Sequence, residues 1–480
     1  MTGGVPDSRS AGLLGPVAFS AGIALLLAAP LMRAGNRYAA LIPLEIIGLL
    51  VLAAIGARRA LAQPPLAMPL NRPLWLLLLS PLLLALIQLT PLPIGLWSAL
   101  PGHDVYAQAL GLAGIAAGSW RPLSLNPDAT LGSLFAAIPL VAAFLLGHLA
   151  TLTQLRGLLR AVAILALAEV MLGLLQISGG ERSPFFFGVM SYGPPIGTFG
   201  NRNHYANYLA MALAGYVWLA FESIRYGRVK SGGITFGSRH RTALWAVGGL
   251  VLVLGVLMSR SRGAAVFGLP MAFAGVALVS LRIKGWSRGS WAAAAAALLL
   301  VGGAAALVGF DAVSSRVSGE QLASSANFRG ELARTSLRGA ITFWPWGAGW
   351  GSYDSVYPRF QPGSIAGFAN HAHEDYVEML FEGGIFFVLL AGVFAWLAVG
   401  RVRSLIAIAR EERKLDRECM AAALCGLGLL GLLAHSLVEF NLRIPANAIL
   451  GALLAGAYLR PQCGADVSHD RPSQSHSSRH

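Results

Sequence analysis

Long apolar segments recur along the chain and are separated by short polar or basic segments. Each apolar run is close to the ~20 residues that a helix needs to cross a bilayer, and none alternates apolar with polar residues as a barrel strand does. Helices satisfy their backbone hydrogen bonds within lipid, so the pattern predicts an all-α polytopic membrane protein with about twelve spans. We place the spans near residues 12–32, 39–56, 73–90, 130–150, 157–177, 203–221, 242–258, 264–281, 290–309, 376–400, 418–436 and 444–459.

The composition supports this class of protein. Hydrophobic residues make up 55% of the 480 residues and charged residues only 12%, with a mean hydropathy of +0.62. Such a chain has too few polar side chains to cover a water-soluble surface. We predict one transmembrane domain over residues 1–460, which includes a large loop outside the spans at 310–375, and a disordered tail at 461–480. The three cysteines do not have the spacing of a zinc site or a disulfide framework.

The basic residues predict an orientation. With the N-terminus in the cytoplasm, roughly two thirds of the 36 lysine and arginine residues fall on the cytoplasmic side, and both termini are cytoplasmic. Lys230, Lys284 and Lys414 all fall there, so every basic residue on the opposite side is an arginine. Arginine binds phosphate through two parallel hydrogen bonds and stays charged. The distribution favours a lipid-linked phosphate or diphosphate at the outer leaflet, although a coding bias toward arginine explains single positions equally well.

Two short motifs place arginines at predicted helix ends on this outer side. Asn201, Arg202 and His204 stand at the mouth of the sixth span, where an Asn-capped helix start with a nearby arginine can bind an anion. Arg260 and Arg262 occupy a tight turn between two spans, against the usual avoidance of positive charge there. Ordinary helix capping is the alternative for the first motif, and anchoring to lipid head groups is the alternative for the second.

A third arginine segment precedes an aromatic and glycine-rich stretch. Arg334 and Arg338 are four residues apart and would share one face of a helix, with Arg329 further toward its start. The following FWPWGAGWG combines bulky rings with glycines, as in a loop that folds over a sugar or lies at an interface. Interfacial anchoring by the tryptophans is an equal alternative.

The segment from Trp346 to Glu382 is the one long stretch rich in ionisable and aromatic polar residues. It places His371, His373 and Glu374 just before the tenth span, with Tyr376 beginning it. Histidine is a suitable general base near neutral pH, and a neighbouring carboxylate can orient it. The two histidines share a face only on a strand and have no obvious third ligand, so we predict no metal site.

Acidic residues within the spans leave a different function open. Glu45, Glu169 and Glu439 would favour transport of a small anion if they lined the interior of the bundle, but each is as readily a polar contact between helices. For Glu439 we favour an ion pair with His435, four residues before it on the same helical face, over a part in substrate binding.

Five motifs in this order resemble the O-antigen ligase and polymerase family of bacterial envelope glycosyltransferases. The resemblance covers about residues 190 to 450 and is carried by FGNRNH, SRSRGA, an arginine followed by WPWGAGWGSY, AHEDYVEMLFEGG and HSLVEFNLRIPANA. It implies a C-type glycosyltransferase architecture with a large periplasmic loop between two late spans.

The resemblance also implies roles for individual residues. His373 corresponds to the catalytic histidine at the end of the loop, Arg262 to the arginine of the turn, and Arg329 best matches the arginine before the aromatic stretch, with Arg334 and Arg338 close enough to compete. Where relatives have asparagine after this histidine, the chain has Glu374, which we expect to share the catalytic task. Arg202 and Arg260 complete the expected diphosphate site. His371, Asn201, His204 and Tyr376 are secondary candidates.

The implied reaction moves a glycan from undecaprenyl diphosphate to an acceptor hydroxyl at the periplasmic face of the inner membrane, with inversion and without a cofactor. The net charge of +14 favours an anionic lipid acceptor such as lipid A core, hence a ligase. A polymerase, a protein O-oligosaccharyltransferase and a small-anion transporter are the alternatives, in that order.

Overall fold

A computed structural model describes residues 14–31, 33–62, 68–114, 119–188, 193–226, 238–284, 319–365, 367–411 and 415–460. Helices dominate these ranges, which confirms the predicted all-α class. In chain order they are α1 (Pro16–Leu31), α2 (Tyr38–Leu61), α3 (Arg72–Gln88), α4 (Ile94–Ser98), α5 (Asp104–Leu112), α6 (Pro127–Leu149), α7 (Leu152–Ser178), α8 (Arg202–Tyr226), α9 (Ser238–Met258), α10 (Leu269–Lys284), α11 (Gly319–Thr342), α12 (Tyr353–Val356), α13 (Asp375–Glu411), α14 (Arg417–His435) and α15 (Pro445–Tyr458).

The helices fit a polytopic membrane protein. Seven described helices are long and apolar enough to cross a membrane, and three shorter ones, α1, α3 and α15, are also apolar. The predicted span at 203–221 coincides with α8, in which polar residues such as Asn203, Asn207 and Glu222 interrupt the apolar sequence. The predicted span at 290–309, the start of the large loop and the tail at 461–480 lie outside the described residues.

α8 is largely enclosed by protein. Its Tyr205, Tyr208 and Trp218 are among the largest fully buried side chains of the protein. Since protein surrounds α8 on most sides, its polar residues meet other protein groups instead of lipid, as intramembrane polar side chains generally do. The N-terminal end of α8 therefore delivers polar side chains into the interior of the bundle.

A second, smaller core lies at the end of the bundle where α13 begins. It is built from aromatic rings of the segment between α11 and α13, in which Phe343 packs edge-on against Phe381 at 5.5 Å and Tyr353 stacks on Tyr357 at 4.9 Å. The loop between α3 and α6 packs onto it: the Leu125 amide donates to the Ala348 carbonyl at 2.9 Å.

This α3–α6 loop contains the only strands among the described residues. β1 (Pro91–Pro93) and β2 (Trp120–Pro122) form an antiparallel pair with Leu92 opposite Arg121. α5, which contains the predicted amphipathic piece around Tyr106, lies between them in sequence. Arg359 ties this loop to the aromatic core, since its guanidinium donates to the Gly102 carbonyl at 2.6 Å and lies over the Tyr106 ring.

α13 belongs to both parts of the molecule. At 37 residues it is longer than the ~20 that a bilayer needs, and it bends at Gly384, whose backbone (φ 52°, ψ −131°) suits glycine. The first turns carry Glu378 and Glu382 into the smaller core, and the remainder is the apolar span. The bend thereby sets the position of the residues that precede α13.

Candidate active site

His373 lies in the loop immediately before α13 and is held in an unusual backbone conformation. Its φ of 54° is left-handed, which is uncommon for residues other than glycine and is typical of functional positions. Its Nδ1 lies 3.2 Å from Oε1 of Glu439, and its ring meets Phe440 edge-on at 4.9 Å. The side chain keeps 26% of its surface exposed, so the ring is oriented on one side and accessible on the other.

Glu439, in the connection between α14 and α15, receives hydrogen bonds from several parts of the chain. Besides His373, Asn203 Nδ2 donates to its Oε2 at 2.5 Å and Arg329 donates to the same oxygen at 3.4 Å, while His204 Nε2 lies 3.9 Å from Oε1. The side chain is only 1% exposed. Burial acts to raise the pKa of Glu439, but the hydrogen bond from His373 and the positive charges around the carboxylate, including Arg329, lower it to about 2.

An ionised Glu439 fixes the tautomer of His373. A carboxylate only accepts hydrogen bonds, so Nδ1 of His373 carries the proton and Nε2 is left with a free lone pair. A histidine held this way by a buried carboxylate can act as a general base, because the carboxylate stabilises its conjugate acid. We refer to His373 and Glu439 as the dyad.

Glu374 follows His373 in sequence, but its carboxylate makes no described contact with the dyad. Its carboxylate makes no hydrogen bond or ion pair within the part of the chain that the structure describes, and burial raises its pKa. Side chains of consecutive residues at a helix start do not face each other, which separates Glu374 from the ring of His373. Its catalytic role stays a prediction.

The predicted arginines fall into two groups. Arg202 is electrostatically coupled to the turn and to the dyad: partial burial, then the positive charges of Arg262, Arg260 and Arg329, lower its pKa. Arg260 is held in a left-handed conformation (φ 55°) in the turn before α10. Gly263, next to Arg262, lies directly against the His435 ring. Arg202, Arg260, Arg262 and Arg329 are therefore gathered at one end of the bundle, and we call them the arginine cluster.

Arg334 and Arg338 form the second group. Both are exposed on α11, where Arg334 pairs with Glu331 at 3.3 Å, three residues earlier in the same helix. Neither makes a hydrogen bond or ion pair with the dyad among the described contacts. Arg329 is thus the arginine of this helix that reaches the dyad, through Glu439 and through the Val438 carbonyl at 3.2 Å.

The secondary candidates surround the dyad in different ways. His204 lies edge-on to Phe440 at 4.5 Å, and His371 stacks on the same ring at 4.3 Å. Asn201 accepts a hydrogen bond from the Asn203 amide at 2.8 Å, which orients the start of α8. The Tyr376 hydroxyl donates to the Leu433 carbonyl at 2.7 Å and ties α13 to α14. Three histidine rings, those of His204, His371 and His373, therefore pack against Phe440.

A buried ionic network supports the site through His371, which stacks on Phe440. Arg443 pairs with Glu378 at 3.1 Å and with Glu382, and His371 Nδ1 lies 3.0 Å from Glu378. Burial acts to lower the pKa of Arg443, but Glu382 and Glu378 raise it above its ordinary value. The network fixes the loop that carries His373, since Glu378 also accepts the Ala372 amide at 2.8 Å.

The expected ion pair between His435 and Glu439 does not form. α14 ends at His435, so the two residues are not one turn apart on a helix, and no ion pair of the described residues joins them. Nδ1 of His435 instead lies 3.1 Å from Oδ1 of Asn207. The sequence interpretation missed that Glu439 is the partner of His373. The sequence signal that could have identified this partner was the acidic Glu439 flanked by the apolar Val438 and Phe440 in HSLVEFNLR.

The described residues contain no group of three or more His, Cys, Asp or Glu side chains arranged to hold a metal ion. What the site offers is a base, an ionised carboxylate and several guanidinium groups that lack a carboxylate partner within the described ranges, namely Arg202, Arg260 and Arg262. Such a combination can deprotonate a hydroxyl beside an anionic group that the cations bind.

Comparison with known proteins places part of this site in a family. No curated protein matches the chain. A family model described as O-antigen ligase matches residues 231–392, a range that includes the arginine turn, α11 and His373 but neither Arg202 nor Glu439. The match supports an enzyme of the O-antigen ligase and polymerase type in a multi-pass bacterial membrane protein. Residues 231–392 are thus similar to the O-antigen ligase family, and this match covers about a third of the chain.

Proposed function

We propose that the protein transfers a glycan from undecaprenyl diphosphate to a hydroxyl of lipid A core, with inversion, at the periplasmic face of the inner membrane. The observation that carries the proposal is the dyad lying beside the arginine cluster, with Arg329 contacting Glu439 directly. This arrangement supplies a base for the acceptor and cations for the donor within one site.

The dyad activates the acceptor. Nε2 of His373 removes the proton of the acceptor hydroxyl as its oxygen attacks the anomeric carbon. The new carbon–oxygen bond forms on the face opposite the leaving group, and the bond to the diphosphate oxygen breaks with its electron pair. Glu439 stabilises the imidazolium that results, because the carboxylate is already ionised and hydrogen-bonded to Nδ1.

The arginine cluster stabilises the leaving group. Undecaprenyl diphosphate departs with negative charge on the bridging oxygen, and guanidinium groups directed at that charge lower the barrier. Arg202, Arg260 and Arg262 have no carboxylate partner within the described ranges, so their charge is available to the substrate. Arg329 donates a hydrogen bond to Glu439, and its guanidinium group also faces the substrate in this proposal.

An apolar cavity offers a place for the lipid part of the donor. It has a volume of about 530 Å³ and runs between α10, α13 and α14, where Phe394, Val402 and Leu430 line it. Leu433 lines its end nearest the site and accepts the hydrogen bond from Tyr376. Only the distant isoprene units of a polyprenyl chain would lie in this cavity, since the α13 residues that line it begin at Phe394, well along the helix from Asp375.

The experiment that tests the proposal uses purified protein in vesicles with a lipid-linked glycan donor and lipid A core acceptor. We expect His373→Ala to lower the transfer rate by about 10²- to 10⁴-fold, the usual contribution of general base catalysis, without changing thermal stability. His240→Ala, an exposed histidine at the start of α9, is the control. Normal transfer by H373A would remove His373 from the role of base.

Deletion of the gene identifies the acceptor. Loss of long-chain lipopolysaccharide with accumulation of lipid-linked polymer supports the ligase. Single repeat units on the core indicate a polymerase, and an unchanged polysaccharide profile contradicts both. These outcomes do not depend on which residue acts as the base.

A further inference from the structure

Two buried polar residues of α7 hold the loop that leads into α8. Glu169 and Gln176 are seven residues apart and so lie two turns apart on one face of the helix. Their exposed fractions are 1% and 0%. Both contact residues 194–200, which we call the entry loop because it ends where Asn201 and Arg202 begin.

Gln176 binds the backbone of the entry loop at every polar atom of its amide. Its Oε1 accepts the amides of Ile196 and Gly197, each at 2.9 Å, and its Nε2 donates to the carbonyls of Gly197 at 2.7 Å and Phe185 at 3.0 Å. A buried amide with all these contacts satisfied fixes the backbone that it touches.

Glu169 binds the next residue of the loop through both carboxyl oxygens. Oε2 accepts the Thr198 amide at 2.8 Å, and Oε1 lies 2.7 Å from the Thr198 hydroxyl. That hydroxyl also lies 2.8 Å from the Pro30 carbonyl of α1. A hydroxyl has a single proton, and an ionised carboxylate and a carbonyl are both acceptors. One proton is therefore missing from this set if Glu169 is ionised.

A protonated Glu169 supplies the missing proton. Oε1–H then donates to the Thr198 hydroxyl, and that hydroxyl donates to Pro30. No lysine or arginine pairs with Glu169 among the described residues, and a buried carboxylate without a cation is costly. Gly197 packs directly against this carboxyl group, because an added Cβ there would come within 2.1 Å of Oε2.

We propose that Glu169 acts as a neutral carboxylic acid that, with Gln176, positions the entry loop so that Asn203 and Arg202 meet the dyad. Only the effect on catalysis rests on the proposed function; the protonation of Glu169 and its contacts with the entry loop do not. Asn203 connects the entry loop to the dyad. It follows Thr198 by five residues in the chain, and its Nδ2 donates a hydrogen bond to Glu439. Glu169 and Gln176 are positioning residues and do not touch the substrate.

The test compares two buried glutamates. Glu222 lies near the other end of α8, about 30 Å along that helix from Arg202, and pairs with Arg156 and Arg417 at 2.6 and 2.5 Å. We expect Glu169→Gln to keep transfer activity, because an amide reproduces all three hydrogen bonds, while Glu169→Ala lowers kcat by about 10²-fold, as a displaced catalytic group does. Glu222→Gln should lower the melting temperature and leave kcat/KM unchanged.

Thr198 provides an independent pair of variants. Thr198→Ser keeps the relay and should keep kcat, and Thr198→Val removes it and should behave like E169A. Equal impairment of E169Q and E169A would overturn the neutral acid, since both variants lack a negative charge and only Gln keeps the hydrogen bonds. Wild-type kcat in E169A would overturn the positioning role.

Two measurements need no substrate. In the infrared difference spectrum of wild type minus E169Q we expect a carbonyl band of a protonated carboxylic acid, and no such band in wild type minus E222Q; its absence from the E169Q difference spectrum contradicts the proposal. A cysteine placed at Gly200, where an added Cβ meets nothing within 4 Å, should react faster with a maleimide in E169A than in E169Q. If these two results hold and no variant or wild type transfers glycan, the proposed function has failed and the positioning role has not.

Discussion

The exposure of His373 and the charge of Glu439 are set by the residues that surround them. The histidine is exposed enough to meet an acceptor, and the carboxylate is fully enclosed and ionised. Burial alone would favour a neutral carboxyl group, so the hydrogen bond from His373 and the positive charges around the carboxylate, including Arg329, decide its charge. The orientation of the base is therefore set by residues far from it in sequence.

Two glutamates compete for the role of orienting carboxylate, and their amide variants separate them. We expect Glu439→Gln to lower kcat by about 10²-fold, because an amide does not stabilise the imidazolium that forms during transfer. Glu374→Gln should change kcat much less, since Glu374 makes no described contact with His373. Steady-state transfer rates of the two purified variants are the measurement. A larger loss in E374Q than in E439Q would return Glu374 to the catalytic pair.

The charge of Glu439 also predicts a dependence of stability on pH. Its pKa of about 2 lies below the ordinary 4.5, so the ionised form stabilises the fold, fully above pH 4.5 and progressively less as the pH falls toward 2. E439Q lacks this contribution. The difference in melting temperature between wild type and E439Q should be largest near neutral pH and shrink below pH 4.5. A difference that grows on acidification would contradict an ionised Glu439.

At the scale of elements, the bend in α13 and the glycine-rich stretch before it form one unit. The Pro345 carbonyl accepts the Ile385 amide at 2.8 Å, and the Phe381 carbonyl accepts the Ala348 amide at 2.9 Å. The glycines of GAGWG thus allow backbone to approach backbone beside the bend. This contact fixes the beginning of α13 and, with it, the loop that carries His373.

Gly384 is the position at which this unit is most sensitive. An added Cβ would come within 2.2 Å of the Pro345 carbonyl oxygen, at a backbone conformation that side chains rarely adopt. We expect Gly384→Ala to lower both the melting temperature and the transfer rate. Gly392→Ala in the same helix is the control, because a Cβ there meets nothing within 4 Å. Thermal unfolding in detergent compares the two, and equal melting temperatures would contradict the close packing.

For the whole molecule, the structure gathers functional groups at one end of a helical bundle. The dyad, the arginine cluster and the aromatic core all lie where α8 and α13 begin. The connection between α6 and α7 lies at the other end, where Thr151 caps α7 and Gln154 donates to the Leu14 carbonyl at 2.6 Å. The groups that we propose to act in the reaction therefore lie at one end of the bundle, and the α6–α7 connection lies at the other.

Because the two ends of the bundle differ, the orientation of the protein in the membrane can be tested. With the site in the periplasm, a cysteine at exposed Ser364 should react with a membrane-impermeant maleimide in intact spheroplasts, and a cysteine at exposed Thr153 should react only after permeabilisation. Labelling of purified protein at both positions is the control for accessibility. The reverse pattern in spheroplasts would place the dyad in the cytoplasm and contradict the proposed donor and acceptor.

The sequence by itself determined the all-α membrane class, the positions of the described spans and the residues of the family motifs. These are local properties: an apolar run of sufficient length must form a helix in lipid, wherever the rest of the chain lies. Tertiary structure alone decided that Glu439 and not Glu374 contacts His373, that Arg329 reaches the dyad while Arg334 does not, and that His435 pairs with Asn207. Those contacts, apart from the local pairing of Arg334, join residues 66 to 228 positions apart, and helix packing sets which polar groups meet and how deeply they are buried.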